Sequence, residues 1–286
     1  MSLSTFKKSK KAQSPHYILF GHPIEHSWSP LMHNLALDYY DIDAQYYTVD
    51  LYNSELNSLA SYLNNDSFKG ANITVPYKQI IIEYLDRIDN SAQEIGAVNT
   101  IVKEGYQLVG YNTDSAGFLA PLKQYSGELE GGRAIIFGTG GASRAIVYAL
   151  LNIGIEELYL VSRNPARRNL FSENNHVVMV SYNQWTSLAE EAALIINATP
   201  LGMHPNVNDS PVRETEKAFL SDCICYDIVY NPIQTKFLKQ ANSVEATTIN
   251  GLEMLIQQGS RSFELWTGHP FPVKKVRGKL HEQIKN

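Results

Sequence analysis

The stretch Arg133-Ala134-Ile135-Ile136-Phe137-Gly138-Thr139-Gly140-Gly141-Ala142-Ser143 decides the fold of the second half of the chain. An apolar run typical of a buried strand passes directly into a glycine-rich turn, and a helix-type run begins at Ala142. Such a turn lets backbone N–H groups approach a pyrophosphate at the N-terminus of the helix. Small residues also serve plain helix-on-strand packing, and the motif alone does not choose between the two. The candidate dinucleotide ligands in the turn are Gly138, Thr139, Gly140, Gly141 and Ala142.

Further apolar runs follow this motif at regular spacing, separated by helical or loop segments. They cover residues 158–162, 177–180, 194–197 and 224–229. Strands that are apolar on both faces and alternate with helices are typical of a parallel sheet. The sequence therefore predicts a Rossmann-like α/β domain in this half of the chain.

The end of the next predicted strand bears on which dinucleotide binds. An NAD site usually places an acid there for the ribose hydroxyls, but this chain has Ser162-Arg163-Asn164, followed by Arg167 and Arg168. Guanidinium groups suit a 2′-phosphate, so NADP is preferred over NAD. The alternative is that these arginines form a solvated face of the following helix.

Asn72-Ile73-Thr74-Val75-Pro76-Tyr77-Lys78 carries the chemistry predicted for the first half. A short strand ends in Thr and Pro, and the run 79–88 predicts a helix with Lys78 in its first turn. The positive end of a helix dipole disfavours an ammonium group, whereas the carboxylate of Asp114 would favour it. A lysine between these two influences can exchange a proton with an alcohol. A surface lysine, and Asp114 as the N-cap of a following helix, are the alternatives.

The remaining pattern predicts two domains with a boundary near Asp114: residues 1–113 with 251–286, and residues 114–250. Strands are expected at 17–20, 46–49 and 71–74, and a hairpin from 97–102 and 107–111. Helices are expected at 29–38, with Ser29 as N-cap and Pro30 following it, and at 55–63. A long helix at 253–266 would return to the first domain, with Leu255, Phe263 and Trp266 in the core.

Composition excludes several classes of function. A formal net charge of -5 argues against nucleic acid as a partner, and no apolar run reaches the ~20 residues of a membrane span. The one basic cluster, Lys7 to Lys11, is interpreted as a frayed tail. Cys223 and Cys225 alternate along one apolar strand and are expected to be buried thiols in a reducing cytoplasm. The spacing of His22, His26 and His33 suits no metal site.

With these motifs in place, the chain resembles the shikimate dehydrogenase family from Gly21 to Gly268. The first matching block is Gly21-His22-Pro23-Ile24-Glu25-His26-Ser27-Trp28-Ser29-Pro30, which is similar to the family's substrate-carboxylate motif. The other blocks, in family order, are 72–78, 97–100, 112–114, 138–142, 197–203, 226–230 and 251–258. Ser162 and Asn164 depart from the Asn and Thr that the family usually carries beside the arginine.

The resemblance implies an N-terminal α/β substrate domain and a Rossmann-like NADP-binding domain, with a cleft between them. It implies NADPH-dependent reduction of 3-dehydroshikimate to shikimate, a step of aromatic amino acid and chorismate biosynthesis, by a cytoplasmic monomer or homodimer. Lys78 and Asp114 would be catalytic. The implied substrate ligands are Ser27, Ser29, Thr74, Asn99, Asp114, Tyr230 and Gln258. Beyond the glycine turn, the implied cofactor ligands are Ser162, Arg163, Arg167, Thr199, Ile228 and Gly251.

Each implied role has a local alternative. Ser29 as an N-cap needs no ligand, and Thr74, Asn99, Tyr230 and Gln258 can be ordinary polar residues at strand ends or in a helix. At the level of function, the enzyme alternative is a quinate/shikimate dehydrogenase of broader specificity. A non-catalytic nucleotide-binding module is the alternative from another class, although such a protein would be expected to lose Lys78 or Asp114.

Overall fold

The structure is a computed structural model that describes residues 1–166 and 174–285. The described strands are β1 His16–Gly21, β2 Gln45–Asp50, β3 Phe68–Ile73, β4 Arg87–Ile88, β5 Thr100–Glu104, β6 Gln107–Tyr111, β7 Arg133–Phe137, β8 Glu157–Ser162, β9 Val177–Ser181, β10 Ala192–Asn197, β11 Ile224–Asp227 and β12 Thr247–Ile249. The α-helices are α1 Leu3–Lys7, α2 Ser29–Tyr39, α3 Leu56–Leu63, α4 Asn90–Ile95, α5 Asp114–Leu119, α6 Ser126–Leu129, α7 Gly141–Asn152, α8 Lys236–Asn242, α9 Leu252–Thr267 and α10 Val273–Lys285. Short 3₁₀ helices cover Lys10–Gln13, Asn53–Glu55, Ile80–Tyr84, Ala120–Tyr125, Trp185–Glu191 and Glu214–Leu220.

The chain divides into two compact units. The first unit contains Met1–Asp114 and Ile256–Asn286, and the second contains Ser115–Leu255. Asp114 thus lies in the first unit and Gly251 in the second. Each unit has one six-stranded sheet and its own apolar core. Among the described helices, none is both long enough and apolar enough to cross a membrane.

The first unit has a mixed sheet with the order β2-β1-β3-β5-β6-β4. β1 pairs in parallel with β2 and β3, whereas β3, β5 and β6 pair antiparallel through the predicted hairpin. Gly105, at φ +62°, occupies the hairpin turn, where the left-handed conformation favours glycine. Phe263 is buried in this unit and Trp266 is half-buried, with its indole donating to the carbonyl of Ile101 at 2.9 Å, whereas Leu255 is buried but belongs to the second unit.

The second unit has an all-parallel sheet with the order β12-β11-β10-β7-β8-β9. Taken in chain order from the strand of the glycine turn, this is the 3-2-1-4-5-6 arrangement of dinucleotide-binding folds. The strand order reverses between β7 and β10, and the carboxyl ends of the strands at such a switch point are where open α/β sheets bind ligands. The predicted parallel sheet is confirmed.

Two predicted elements were wrong. Residues 79–88 do not form one helix: a 3₁₀ helix covers Ile80–Tyr84, and Arg87–Ile88 is a strand paired with β6. Ile80, Ile81 and Ile82 are β-branched and disfavour α-helix, which explains the shorter element. Lys78 therefore lies in a turn before a 3₁₀ helix, and the argument from a helix dipole does not apply to it.

The N-terminal tail was also predicted wrongly. Leu3–Lys7 is a helix capped by Ser2, whose side chain accepts from the amide of Thr5. Leu3 and Phe6 are fully buried in the core of the first unit, so the lysines lie on the outer side of an ordered element. Ser2 before two apolar residues three apart was the signal that could have found it.

Candidate functional site

The first unit collects its candidate residues at one edge of its sheet. Since β1 and β3 are parallel neighbours, the segments that leave their carboxyl ends start side by side. Ser27 and Ser29 follow β1, whereas Thr74 and Lys78 follow β3. A Cβ atom at Gly21 would overlap the methyl carbon of Thr74, so glycine at this position permits the two segments to touch.

Lys78 and Asp114 form an ion pair at this edge. Lys78 Nζ lies 2.5 Å from Asp114 Oδ2, with side-chain exposures of 14% and 6%. β5 is antiparallel to both β3 and β6, so β6 runs parallel to β3, and the start of α5 after β6 lies at the same edge of the sheet as the turn that follows β3. The prediction that these two residues meet is therefore supported by their geometry, although thirty-six positions separate them in sequence.

Asn99 fixes the other oxygen of the same carboxylate. Its Nδ2 donates to Asp114 Oδ1 at 2.8 Å and to Thr113 Oγ1 at 2.9 Å, while its Oδ1 accepts from the amide of Thr113 at 2.8 Å. Asp114 is itself the first residue of α5, and its two carboxylate oxygens contact Asn99 and Lys78. Asn99 is only 2% exposed, so a substrate hydroxyl would have to share its amide with Asp114.

Ser27 and Ser29 lie together at the N-terminus of α2. Trp28, rather than Ser29, is the N-cap residue, and no side-chain cap bond forms, which corrects the prediction for Ser29. Ser27 Oγ instead accepts from the Ser29 amide at 3.3 Å and lies 3.2 Å from Ser29 Oγ. Two adjoining hydroxyls at the positive end of an eleven-residue helix are a suitable site for a carboxylate.

The glycine turn of the second unit has the backbone shape that a pyrophosphate site needs. Gly138 has φ +109°, and a Cβ there would lie 2.9 Å from the carbonyl oxygen of Ala198, so other residues are excluded. Gly140 is the N-cap of α7, without a side-chain cap, and a Cβ added to it would meet nothing within 4 Å. The first turn of α7, from Gly141 and Ala142 onward, therefore has N–H groups without a side-chain cap, next to the exposed residues Thr139 and Gly140.

Arg163 follows β8 at the same edge of the sheet as this turn. The Gly138 amide donates to the carbonyl of Val161 at 3.1 Å, which ties the glycine turn to the end of β8. Arg163 is exposed, and Ser162 Oγ accepts from the Asn164 amide at 3.1 Å. None of the described residues at this strand end, 162–166, is an acid. The residues present suit NADP. Arg167, the remaining cofactor candidate of this segment, lies outside the described residues, as does Arg168.

Thr199, Ile228 and Gly251 lie around a buried carboxylate that the sequence analysis missed. Asp227 accepts from Thr235 Oγ1 at 2.6 Å and from Asn197 Nδ2 at 3.1 Å, and Asn197 Oδ1 accepts from Thr199 Oγ1 at 2.6 Å. Burial raises the pKa of Asp227 to about 6. The network holds the segments that follow β10 and β11. An acid inside an otherwise apolar strand was the available signal.

Gly251 packs against the segment that follows β11, at Ile228 and Val229. A Cβ at Gly251 would overlap the carbonyl oxygen of Ile228, and the Gly251 amide donates to Val229 O at 3.2 Å. Tyr230 follows in the same segment of the second unit and is half-buried, whereas Gln258 is half-buried on the part of α9 that belongs to the first unit.

Of the three histidines near the serine motif, His33 is the one without a hydrogen-bond partner for its ring. His33 is buried, and neither of its ring nitrogens has a hydrogen-bond partner. Burial lowers its pKa to about 3, so the ring is neutral and stacks on Tyr46 with centroids 4.4 Å apart. His22 is exposed and bonds Asp50 at 2.8 Å. Within the described residues, no group of three His, Cys, Asp or Glu side chains could hold a metal ion.

Two family models match the chain. The model described as "Shikimate dehydrogenase substrate binding domain" matches residues 19–101, and "Shikimate 5'-dehydrogenase C-terminal domain" matches residues 251–281. A curated relative, the shikimate dehydrogenase (NADP(+)) of Moorella thermoacetica, is 40% identical over 282 residues. That match covers 96% of this chain and 95% of the relative.

Solved structures resemble the chain over a similar length. Shikimate 5-dehydrogenase from Thermus thermophilus, in complex with NADP(H) and shikimate, is 32% identical with a TM-score of 0.81, covering 94% of this chain and 99% of its own. Quinate dehydrogenase from Corynebacterium glutamicum, in complex with NAD, is 27% identical with a TM-score of 0.82, covering 94% of this chain and 99% of its own.

Proposed function

Because the chain belongs to the shikimate dehydrogenase family, we propose that it catalyses the reversible NADPH-dependent reduction of 3-dehydroshikimate to shikimate. The observation that carries this proposal is the 2.5 Å contact between Lys78 Nζ and Asp114 Oδ2 in a nearly buried position. An ammonium group held there can give a proton to the oxygen of a carbonyl as it becomes an alkoxide. Such general acid help contributes roughly 10²–10⁴-fold to a rate.

Each residue of the first unit has one task in this proposal. Lys78 supplies the proton in the direction of reduction and takes it back in the direction of oxidation. Asp114 holds Lys78 in place and accepts a hydrogen bond from a ring hydroxyl of the substrate. Ser27 and Ser29 bind the substrate carboxylate, as the geometry at the N-terminus of α2 supports. The further ligands of the ring or its hydroxyls are Thr74, Asn99 and Gln258 of this unit, and Tyr230, which belongs to the second unit.

The second unit binds NADPH in this proposal. Its nicotinamide, when bound, supplies the hydride to the ketone carbon. The protein's contribution is to bind and orient: the N–H groups of residues 138–142 receive the pyrophosphate, and Arg163 with Ser162 receives the 2′-phosphate. We place Arg167 beside Arg163 from the sequence alone. Thr199, Ile228 and Gly251 line the nicotinamide side, supported by their connection through the Asp227 network and the Ile228–Gly251 contact.

Replacement of Lys78 tests the proposal. Lys78→Ala is expected to lower kcat for shikimate oxidation by on the order of 10²–10⁴-fold, because the proton acceptor is gone. NADPH affinity, measured by fluorescence titration, should stay at the wild-type value. Lys69→Ala is the matched control, since Lys69 is an exposed lysine on β3. Wild-type turnover in Lys78→Ala would contradict the assignment.

Replacement of Arg163 tests cofactor choice. Arg163→Asp should lower the ratio of kcat/KM with NADP⁺ to kcat/KM with NAD⁺ by about 10- to 100-fold, the value of one hydrogen bond to a charged group. The control is Arg87→Asp, an exposed arginine of the other unit. An unchanged ratio would remove Arg163 from the phosphate site.

Assays of the wild type on quinate with each cofactor distinguish the proposed enzyme from one of broader specificity.

We also propose that the protein works in the cytoplasm, as a monomer or homodimer. Cys223 and Cys225 are buried free thiols, which suits a compartment that keeps thiols reduced. Light scattering on the purified protein measures the mass in solution and separates the monomer from the dimer.

A further inference from the structure

A chain of buried polar side chains connects helix α9 to the sheet beneath the Lys78–Asp114 pair. Ser262 Oγ, 0% exposed, accepts from Asn72 Nδ2 at 3.0 Å and lies 2.8 Å from Thr100 Oγ1. It also lies 3.0 Å from the carbonyl oxygen of Gln258, to which it can donate. One hydroxyl thus contacts β3, β5 and the preceding turn of its own helix.

The same network continues to the catalytic carboxylate. Thr100 Oγ1 lies 3.0 Å from Asn99 Oδ1, which also accepts from the Thr113 amide. Because these donors face Oδ1, the Nδ2 end of the Asn99 amide must face Asp114, where it binds Oδ1 at 2.8 Å. Asp114 Oδ2 is left for Lys78. The orientation of the Asn99 amide, which organises the ion pair, therefore depends on the two donors to its Oδ1, the Thr100 hydroxyl and the Thr113 amide.

At its other end the network is anchored by Tyr46. The phenol of Tyr46 donates to Asn72 Oδ1 at 2.7 Å, so Asn72 Nδ2 must face the other way, where Ser262, Thr100 and the Asn99 carbonyl share its two hydrogens. Every member from Tyr46 to Asp114 is at most 5% exposed, so a lost partner is not replaced by bulk water. An unsatisfied buried donor costs roughly 1–3 kcal/mol, and the remaining groups would re-pair to avoid it.

We propose that Ser262 is a positioning residue for proton transfer. Its hydroxyl binds Asn72 and Thr100, so that Asn99 directs its amide hydrogens to Asp114. The same hydroxyl connects the network to α9, the helix that carries Gln258. The proposal rests on the proposed function, since it assigns Ser262 a task only if Lys78 and Asp114 handle the proton.

Ser262→Ala tests the proposal, with Ser260→Ala as the matched control. Ser260 lies on the same helix and is also buried, but its hydroxyl bonds Glu264 at 3.3 Å, outside the network. Ser262→Ala should lower kcat for shikimate oxidation about tenfold, since small misplacements of reacting groups are costly. It should shift the pH profile of kcat and leave KM for NADP⁺ unchanged. Ser260→Ala should match the wild type in all three.

A double variant separates positioning from general weakening of the fold. Thr100→Val removes the next hydroxyl of the network, so Thr100→Val with Ser262→Ala should have a kcat close to that of the lower single variant. Coupled residues give such non-additive effects, whereas independent ones multiply. The proposal is overturned if Ser262→Ala lowers only the melting temperature, or if the two effects multiply. A wild-type protein without activity on shikimate would instead overturn the proposed function.

Discussion

At the scale of single residues, His33 gives the chain a pH dependence of its own. Burial lowers its pKa to about 3, and the rings of Tyr46, Trp266 and Phe271 surround it. The unfolded chain has the ordinary histidine pKa of 6.5, so it binds the proton more readily than the folded chain does. Stability from this group is therefore fully present above pH 6.5 and is lost as the pH falls towards 3.

His33→Phe should remove this loss, because a phenylalanine ring keeps the stacking and binds no proton. Between pH 7 and pH 5, the free energy of unfolding of the wild type should fall by about 2 kcal/mol more than that of the variant. Urea unfolding at the two pH values measures the difference. Burial also lowers the pKa of His16, but this residue is present in both proteins, so its contribution cancels in the comparison. Parallel pH dependence in the two proteins would show that the ring is protonated without cost.

Residue chemistry was the part of the site that the sequence predicted well. A lysine after Thr-x-Pro and an aspartate after Asn-Thr were matched as a pair, and the structure brings them to 2.5 Å. No helix dipole acts on Lys78, because the α-helix predicted over residues 79–88 does not form. Ser262 was not predicted, since a serine in a helix has no local sign of the partner 190 positions away.

At the scale of elements, α1 belongs to the core of the first unit despite its five residues. Phe6 is 1% exposed and packs edge-on against His16 and Tyr62, with centroids 5.4 and 6.2 Å away. Phe6→Ala should therefore cost about 3–5 kcal/mol in the free energy of unfolding. Guanidinium unfolding measures it, with the exposed Lys8→Ala as control. Equal unfolding midpoints for the two variants would mean that α1 contributes nothing to stability.

Elements were predicted where the apolar period and the turn residues agreed, and were missed where they are short or carry few apolar residues. Strands β7 to β11 of the second sheet and the hairpin of the first were expected from apolar runs and from Gly105. β12, α8 and α10 were not. β12 has three residues and α10 is rich in lysine, so neither carries the apolar run that marks a buried element.

At the scale of the whole molecule, the sequence predicted the fold class because one motif determines a parallel sheet and the family blocks cover the remainder. The order of strands could not be read from local pattern, since it depends on which crossovers leave β7 towards β8 and which towards β10. The partners of Ser262 depend in the same way on long-range topology. Local chemistry was therefore predictable, and its supporting network was not.

The two units differ in how the chain builds them, and this matters while the protein is being synthesised. Residues 115–255 are continuous, so the second unit has all of its strands once it leaves the ribosome. The first unit also needs residues 256–286, which follow the second unit in the chain and emerge after it. Domains fold as units during translation. Nascent chains that lack residues 256–286 would thus contain a complete second unit and an incomplete first unit, in which Asn72 and Thr100 still lack the hydroxyl that joins them.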